Sequence, residues 1–119
     1  MAKILILDDE KELAFTFGAI LEMEGYEVLT AEKGSEAENI LKTEKIDAAF
    51  VDLHLPDMDG MAVVKLIKKM SPDTKVGIMS GDHSPELEKT AHENGASWFF
   101  AKPADPKVVL GVLQNDLLS

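Results

Sequence analysis

The chain has 119 residues, of which 45% are apolar, so it can form one compact domain with its own core but is too short for two. It contains no cysteine, which excludes disulfides, thiolate metal sites and thiol nucleophiles. The formal net charge is −10 and every basic residue is lysine, so direct binding of this domain to nucleic acid is not expected. No apolar run approaches the roughly 20 residues of a membrane span, and the N-terminus does not resemble a secretory signal, so we expect a soluble cytoplasmic protein.

The N-terminal part of the chain predicts two strands, each followed by a helix. Residues 3–7 are an apolar strand candidate, and residues 11–24 repeat apolar side chains at helical spacing. Apolar and polar residues alternate over residues 26–30, which is typical of an edge strand. The dipeptide Gly34-Ser35 punctuates the chain before a short second helix. The predicted inward residues of these two helices are Leu13, Phe17, Ile20, Leu21, Ala37, Ile40 and Leu41.

The third predicted strand ends at a carboxylate. Residues 48–51 form a continuous apolar run, as expected of a parallel strand covered on both faces. Asp52 follows, and the turn residues Pro56, Asp57 and Gly60 come directly after it, so Asp52 is predicted at the mouth of a strand-to-helix loop. For an isolated aspartate, the simpler interpretation is a loop acid that caps a turn.

The second half of the chain continues the same alternation. The remaining predicted elements are a third helix, a fourth strand at residues 76–79, a fourth helix at 85–94, a fifth strand at 98–101 and a last helix at 105–118. The fourth helix offers only Leu87 and Ala91 as inward anchors, so we expect it to be the most loosely held. The predicted inward residues of the third and fifth helices are Val63, Val64, Ile67, Met70, Val108, Val109, Val112, Leu113 and Leu117.

This alternation of strands and helices predicts a fold class. It favours right-handed crossovers and a parallel sheet covered on both sides. An edge-like second strand fits the strand order 2-1-3-4-5. We therefore predict an α/β fold in which residues 1–119 form a single doubly wound (βα)5 domain.

Polar residues follow four of the predicted strands. Because parallel strands end at the same edge of a sheet, Asp8, Asp9 and Asp52 are expected in one crevice if strands one and three are neighbours. Like charges about 4 Å apart repel by roughly 4 kcal/mol at an effective dielectric near 20, so such a cluster needs a counter-ion. Oxygen ligands without cysteine favour Mg²⁺ or a similar hard cation.

The residues at this predicted edge suit phosphoryl transfer. A carboxylate such as Asp52 can attack phosphorus to form an aspartyl phosphate, while a metal and Lys102 offset charge on the equatorial oxygens and Ser80 donates a hydrogen bond to one of them. Taken singly, Ser80 is more simply a residue that ends a strand, Lys102 a solvated amine, and Asp8 and Asp9 helix-capping acids. Their agreement at one edge favours the joint interpretation.

Four motifs in sequence order make the chain resemble the receiver domain of two-component response regulators. They are ILILDDE at residues 4–10, VDLHLPDMDG at 51–60, MSG at 79–81 and GASWFFAKP at 95–103. The resemblance covers essentially the whole chain and implies a flavodoxin-like fold. It also implies a regulatory phosphoacceptor rather than an enzyme, although the domain assists its own phosphorylation and the hydrolysis of the aspartyl phosphate.

The resemblance implies specific site residues. Asp52 is the implied phosphoacceptor, and the implied contacts of the phosphoryl group are Ser80 and Lys102, with a cis peptide between Lys102 and Pro103. The implied Mg²⁺ site consists of Asp9, Asp52, the backbone carbonyl of His54, and Asp8, which holds a metal-bound water. The histidine rings of His54, His83 and His92 are interpreted as surface side chains.

The resemblance also implies partners and a switch. A histidine kinase or histidine phosphotransfer protein would donate the phosphoryl group, and the face of helix 4, strand 5 and helix 5 would respond. By spacing from Lys102, Phe99 is the aromatic residue of that switch. The output domain is either fused or separate, and the expected assembly is a monomer or a phosphorylation-dependent homodimer. Two departures from the family pattern are Lys11, where proline is common, and Ala104, where a bulky apolar residue is common.

Three other functions remain open at this point. A phosphatase of the haloacid dehalogenase type also uses a strand-end aspartate and Mg²⁺, but it needs a second acid two residues later, where His54 stands. A nucleotide-binding α/β module would need a Gly-rich phosphate-binding motif, which the sequence lacks. A pseudo-receiver would bind its partners without phosphate.

Overall fold

The structure is a computed structural model, and it describes residues 2–82 and 84–117. The strands are β1 (Lys3–Leu7), β2 (Glu27–Ala31), β3 (Ala48–Asp52), β4 (Lys75–Ser80) and β5 (Trp98–Ala101). The helices are α1 (Lys11–Met23), α2 (Gly34–Thr43), α3 (Gly60–Met70), α4 (Pro85–Glu93) and α5 (Pro106–Leu117). The sequence predictions for His83 and Leu118 lie outside the described residues.

The five strands form one parallel sheet in the order β2-β1-β3-β4-β5, which confirms the predicted fold class. The alternating strand β2 lies at an edge, as predicted. In the centre, Leu7 of β1 pairs with Val51 of β3, so the residues that follow these strands emerge side by side. The sheet therefore places the ends of β1, β3 and β4 next to one another.

Each face of the sheet has its own apolar core. Leu5, Leu7 and Val51 point to the face covered by α2, α3 and α4, whereas Ile6 and Phe50 point to the face covered by α1 and α5. The Phe50 ring lies 5.7 Å from the ring centroids of Phe17 and Trp98 and 5.9 Å from that of Phe100. Since each fully buried large apolar side chain contributes about 1.5–3 kcal/mol, these two cores hold the strand ends in place.

The predicted inward faces of α1 and α5 are partly wrong. Leu13 is 45% exposed and Val108 is 53% exposed, while Ala14 and Gly18 are buried. A Cβ atom on Gly18 would lie 3.2 Å from Val28 Cγ1, so α1 approaches the sheet closely through its small residues. Hydrophobic spacing favours large side chains and therefore missed this face.

The start of α2 also differs from the prediction, because Gly34 and Ser35 belong to the helix rather than to a preceding turn. The Asp57 carboxylate accepts hydrogen bonds from the backbone amides of Gly34 (2.8 Å) and Ser35 (3.1 Å). A Cβ atom on Gly34 would overlap the Met58 side chain. The loop after β3 is thus fixed to the first turn of α2.

Gly60 tolerates no side chain, whereas Gly111 does. A Cβ atom on Gly60 would lie 2.6 Å from Leu53 Cα and 2.9 Å from the Asp52 carbonyl oxygen, and this backbone cannot yield as a side chain could. We expect Gly60→Ala to lower the free energy of unfolding by about 1–3 kcal/mol. In the matched variant, Gly111→Ala, no atom lies within 4 Å of the new methyl group, so we expect a gain of about 0.5–1 kcal/mol. Urea denaturation measures both, and similar losses in the two variants would contradict the close approach at Gly60.

Asp57 makes stability depend on pH. The amide of Gly34, and after it that of Ser35, lowers the pKa of Asp57 below its usual 3.8. The charged carboxylate therefore stabilises the fold above the unfolded pKa, and this stabilisation is lost as the pH falls through the lower folded value. We expect Asp57→Asn to flatten the dependence of unfolding free energy on pH between about 5 and 3. The matched control is Asp73→Asn, which removes an exposed carboxylate but leaves the Asp57 contacts with Gly34 and Ser35 in place. Equal slopes in all three proteins would rule out this charged cap.

Candidate functional site

The carboxyl edge of the sheet brings several predicted residues together. Asp52 is the last residue of β3, Ser80 is the last residue of β4, and Asp8 directly follows β1. These side chains are buried, with residue exposures of 5%, 0% and 3% respectively. Lys102 follows β5 and reaches back across the end of β4 to this group.

Lys102 is the cation that contacts the buried acids. Its Nζ lies 3.0 Å from Asp52 Oδ2, 3.1 Å from Asp8 Oδ2 and 2.6 Å from Glu10 Oε1. Burial lowers the pKa of Lys102, but hydrogen bonds to Glu10, Asp52 and Asp8 outweigh burial and raise the pKa above its ordinary value. Lys102 is therefore charged throughout the physiological range.

Glu10 is a site residue that the sequence analysis missed. Its place in the sequence indicates only an acid that closes the first strand, yet its carboxylate makes the shortest of these contacts to Lys102. The two residues are separated by 92 positions in the chain, so the ordering of β1, β3, β4 and β5 brings them together. Its position as the third acid after the first strand, in Asp8-Asp9-Glu10, was the one feature of the sequence that could have indicated a place at the site.

Asp8 is held under opposing influences. Burial is the largest cause and raises its pKa above the usual value. The backbone amide of Glu10, 3.0 Å from Asp8 Oδ1, and the Lys102 ammonium act in the opposite direction without cancelling it. The neighbouring charge of Asp52 raises the pKa further, so Asp8 accepts a proton more readily than an exposed aspartate.

Both carboxylate oxygens of Asp52 are engaged. Oδ1 accepts a hydrogen bond from the His54 amide at 3.1 Å, and Oδ2 accepts one from Lys102. The backbone of His54 also forms an isolated antiparallel β-bridge with that of Asp59. The Asp59 side chain accepts a hydrogen bond from the Met61 amide at the start of α3. The loop after β3 thus orients Asp52 through its backbone, while His54 itself is exposed.

Ser80 is fully buried at the end of β4, and its hydroxyl belongs to the same edge. Its Oγ accepts a hydrogen bond from the Asp82 amide at 3.1 Å, and its carbonyl accepts one from the Lys102 amide at 2.8 Å. A hydroxyl that accepts one hydrogen bond still has its own proton to donate. Ser80 can therefore donate to an anion placed at this edge.

Four acids at this edge form a group with the geometry of a cation site. Asp8, Asp9, Glu10 and Asp52 each offer a carboxylate oxygen, and these oxygens lie within 4.8 Å of one another. Lys102 supplies one positive charge to the group, so a negative charge remains. An all-oxygen, net negative donor set fits a hard divalent cation such as Mg²⁺.

The comparisons with known proteins decide the family. Residues 4–114 match the family model described as the response regulator receiver domain. The chain belongs to this family. Receiver domains act in two-component signal transduction, in which phosphorylation by a histidine kinase is the standard function, and this chain is accordingly a regulatory phosphoacceptor domain.

Individual relatives agree with this assignment. The receiver domain is 34% identical over 116 residues to the transcriptional regulatory protein GlrR of Escherichia coli K12, covering 98% of this chain and 26% of that relative. A CheY-like receiver domain protein from Methanospirillum hungatei has a TM-score of 0.92 and 31% identity, with 98% and 94% of the two chains covered. A response regulator protein from Burkholderia pseudomallei, with a phosphorylated aspartic acid, a calcium ion and citrate, has a TM-score of 0.90 and 30% identity, with 98% and 68% covered.

Other features of the receiver domain bear on the sequence predictions. The Lys102–Pro103 peptide is cis, as the resemblance implies. Phe99 is half-buried and packs against the core under α2, α3 and α4. Lys11 forms an ion pair with Glu32 at 3.2 Å. Within the described parts of the chain, no helix combines the length and the apolar character that crossing a membrane requires.

Removal of the Lys102 charge should destabilise the fold. Lys102→Ala leaves the buried Asp8 and Asp52 carboxylates without their cation, and we expect a loss of about 1–3 kcal/mol in unfolding free energy at pH 7. Because the pKa of Asp8 is already raised and rises further without Lys102, this loss should shrink as the pH is lowered from 7 to 5. Lys107→Ala, at an exposed position, should change stability by less than about 0.5 kcal/mol. Urea denaturation at both pH values measures the effect, and a loss independent of pH would argue against buried charge as its cause.

Proposed function

We propose that Asp52 accepts a phosphoryl group from the phosphohistidine of a partner histidine kinase or histidine phosphotransfer protein. The observation that carries the proposal is the placement of the buried Asp52 carboxylate 3.0 Å from the Lys102 ammonium, at the sheet edge that also holds the Ser80 hydroxyl. The phosphorylated aspartic acid of the Burkholderia relative supports it.

The proposed reaction is a direct transfer between two residues. One carboxylate oxygen of Asp52 attacks phosphorus, and a P–O bond forms as the P–N bond to the donor histidine breaks. The electron pair of the P–N bond stays on the donor nitrogen, and the ring leaves as neutral imidazole because its other nitrogen is protonated. The product is an aspartyl phosphate, which water can later hydrolyse.

Two side chains of this chain would handle the charge of the phosphoryl oxygens. Lys102 already donates to Asp52 Oδ2, so its ammonium is adjacent to any group bonded to that carboxylate. Ser80 Oγ accepts from the Asp82 amide and keeps its proton available for a phosphoryl oxygen. Donors placed in advance where charge develops favour the transition state over the ground state.

The proposed Mg²⁺ site uses the acids of the same edge. Asp8, Asp9 and Asp52, with the backbone carbonyl of His54, would hold the ion, either directly or, for Asp8, through a water molecule. The net negative set of carboxylate oxygens supports this assignment. When bound, Mg²⁺ supplies positive charge that offsets the charge of the phosphoryl oxygens.

The proposed output is a shift of the face formed by α4, β5 and α5. Among the described residues of α4, Ala91 is the only one that is buried, and Leu87 is half-buried. A helix with few buried apolar contacts can move at low cost, so a pull of Ser80 toward the phosphoryl group would be transmitted there. Phe99, half-buried on β5, would respond through packing because it has no hydroxyl group.

The wider context of the chain is proposed on the same basis. We assign all of residues 1–119 to one receiver domain that acts in the cytoplasm as a monomer or a phosphorylation-dependent homodimer. The chain spans 26% of the length of GlrR. The proposed output domain is either fused to the receiver domain or supplied by a separate protein. The domain would regulate a partner rather than turn over a substrate.

Phosphorylation by acetyl phosphate tests the proposed function. With Mg²⁺ we expect intact mass to show the gain of one phosphoryl group, and without Mg²⁺ a much smaller fraction. Asp52→Asn should abolish the adduct because the amide is a poor nucleophile. Asp73→Asn, an exposed acid near the opposite edge of the sheet, should retain it.

Three outcomes would count against the proposal. An adduct that persists in Asp52→Asn would place the phosphoacceptor elsewhere. No adduct from acetyl phosphate or from a phosphorylated kinase would favour a pseudo-receiver. Sustained hydrolysis of a phosphate ester that is lost in Asp52→Asn would favour a phosphatase.

A further inference from the structure

The ammonium of Lys102 is saturated by carboxylates. It has three N–H donors, and it contacts three acids: Glu10 at 2.6 Å, Asp52 at 3.0 Å and Asp8 at 3.1 Å. A phosphoryl group that approaches the Asp52 carboxylate therefore meets no unused donor on Lys102. One of the three contacts must be given up before Lys102 can bind the phosphoryl group.

The three acids differ in how easily they can be released. The side chains of Asp8 and Asp52 are 4% and 7% exposed, and Asp52 is still a carboxylate until its bond to phosphorus forms. Releasing either one before that step would leave a buried carboxylate without its cation. The Glu10 side chain is 54% exposed, so its carboxylate would be rehydrated at once. Glu10 is thus the contact that costs least to break.

The local structure directs Glu10 at Lys102 rather than at its own helix. Glu10 is the residue before α1, where a side chain commonly caps the helix, but in the described structure it makes no capping hydrogen bond. Its backbone amide donates to Asp8 Oδ1 and its carbonyl accepts from the Ala14 amide. The backbone of Glu10 is therefore fixed at the site while its carboxylate occupies Lys102.

We propose that Glu10 is an autoinhibitory positioning residue, which occupies the N–H donor of Lys102 that the phosphoryl group needs. Phosphorylation of Asp52 then requires Lys102 to exchange the Glu10 carboxylate for a phosphoryl oxygen. The inference rests on the proposed function, and it adds that Glu10 slows the phosphorylation of Asp52 in the resting site. An ion pair with one exposed member changes an equilibrium by a factor of up to about five, which sets the size of the effect.

The test compares two variants that each remove one negative charge. Glu10→Gln keeps the shape of the side chain and weakens its hold on Lys102, whereas Glu12→Gln removes an exposed charge two residues away, in the first turn of α1. At saturating Mg²⁺, we expect Glu10→Gln to be phosphorylated by acetyl phosphate about three to five times faster than wild type, and to bind beryllofluoride correspondingly more tightly by ¹⁹F NMR. Glu12→Gln should stay within about 1.5-fold of wild type because an exposed charge is largely screened.

A second measurement is made without metal or phosphoryl donor. The side-chain resonances of Lys102 in the apo protein should shift in Glu10→Gln and remain in place in Glu12→Gln, because only the first variant removes a partner of the ammonium. Unchanged Lys102 resonances in Glu10→Gln would show that the contact does not persist in solution, and would overturn the inference.

The kinetic outcomes separate this inference from the proposed function. Equal phosphorylation rates in the two variants would show that any gain comes from the loss of one negative charge and not from the contact with Lys102. A slower rate in Glu10→Gln than in wild type would show that Glu10 assists phosphorylation. Either result overturns the autoinhibitory role of Glu10 and leaves the proposed function standing. If wild type and both variants form no adduct with any donor, the proposed function fails and the inference fails with it.

Discussion

The parallel pairing of β1 with β3 is the constraint on which the site depends. It aligns Leu7 with Val51, so Asp8 and Asp52 leave the sheet next to each other and both are buried. Two buried carboxylates repel, and removing their charges from water is costly. The order of the remaining strands supplies the remedy, because it carries Lys102 to within 3.1 Å of both acids.

This arrangement leaves the site with a net negative charge. The cluster has four carboxylates, and the single ammonium of Lys102 contacts three of them. Burial raises the pKa of Asp8 despite its hydrogen bonds. The residual negative charge attracts a divalent cation but repels a phosphoryl group. Binding of the cation is therefore expected to favour the approach of the phosphoryl group. Lys102 stabilises the resting fold, and it is also the donor nearest to the proposed phosphoacceptor.

The two sides of the site differ in how firmly they are held. The loop after β3 is tied to α2 through Asp57, to α3 through Asp59, and to the backbone of Leu53 through the close approach of Gly60. By contrast, α4 follows the loop after Ser80; among its described residues only Ala91 is buried, and Leu87 is half-buried against the core. A firmly held loop beside a lightly packed helix is what the proposed phosphorylation and the proposed shift of α4 require.

The sequence by itself predicted the fold class, because strand and helix periodicities are local, and the edge-like alternation of residues 26–30 favoured a strand order that periodicity alone does not fix. It also predicted that Asp8, Asp52, Ser80 and Lys102 meet at one edge, because parallel strands end there. The family match and the observed sheet confirm the fold and the family. The functional roles of all the site residues stay predictions: Asp8, Asp9, Asp52, the His54 carbonyl, Ser80 and Lys102. Only the tertiary structure showed that α1 approaches the sheet through Gly18, that Asp57 accepts hydrogen bonds from the first turn of α2, and that Glu10 contacts Lys102. Each of these contacts joins residues that are distant in the sequence and are brought together by packing across the sheet. Local patterns of polarity do not indicate which distant residue a given side chain will contact.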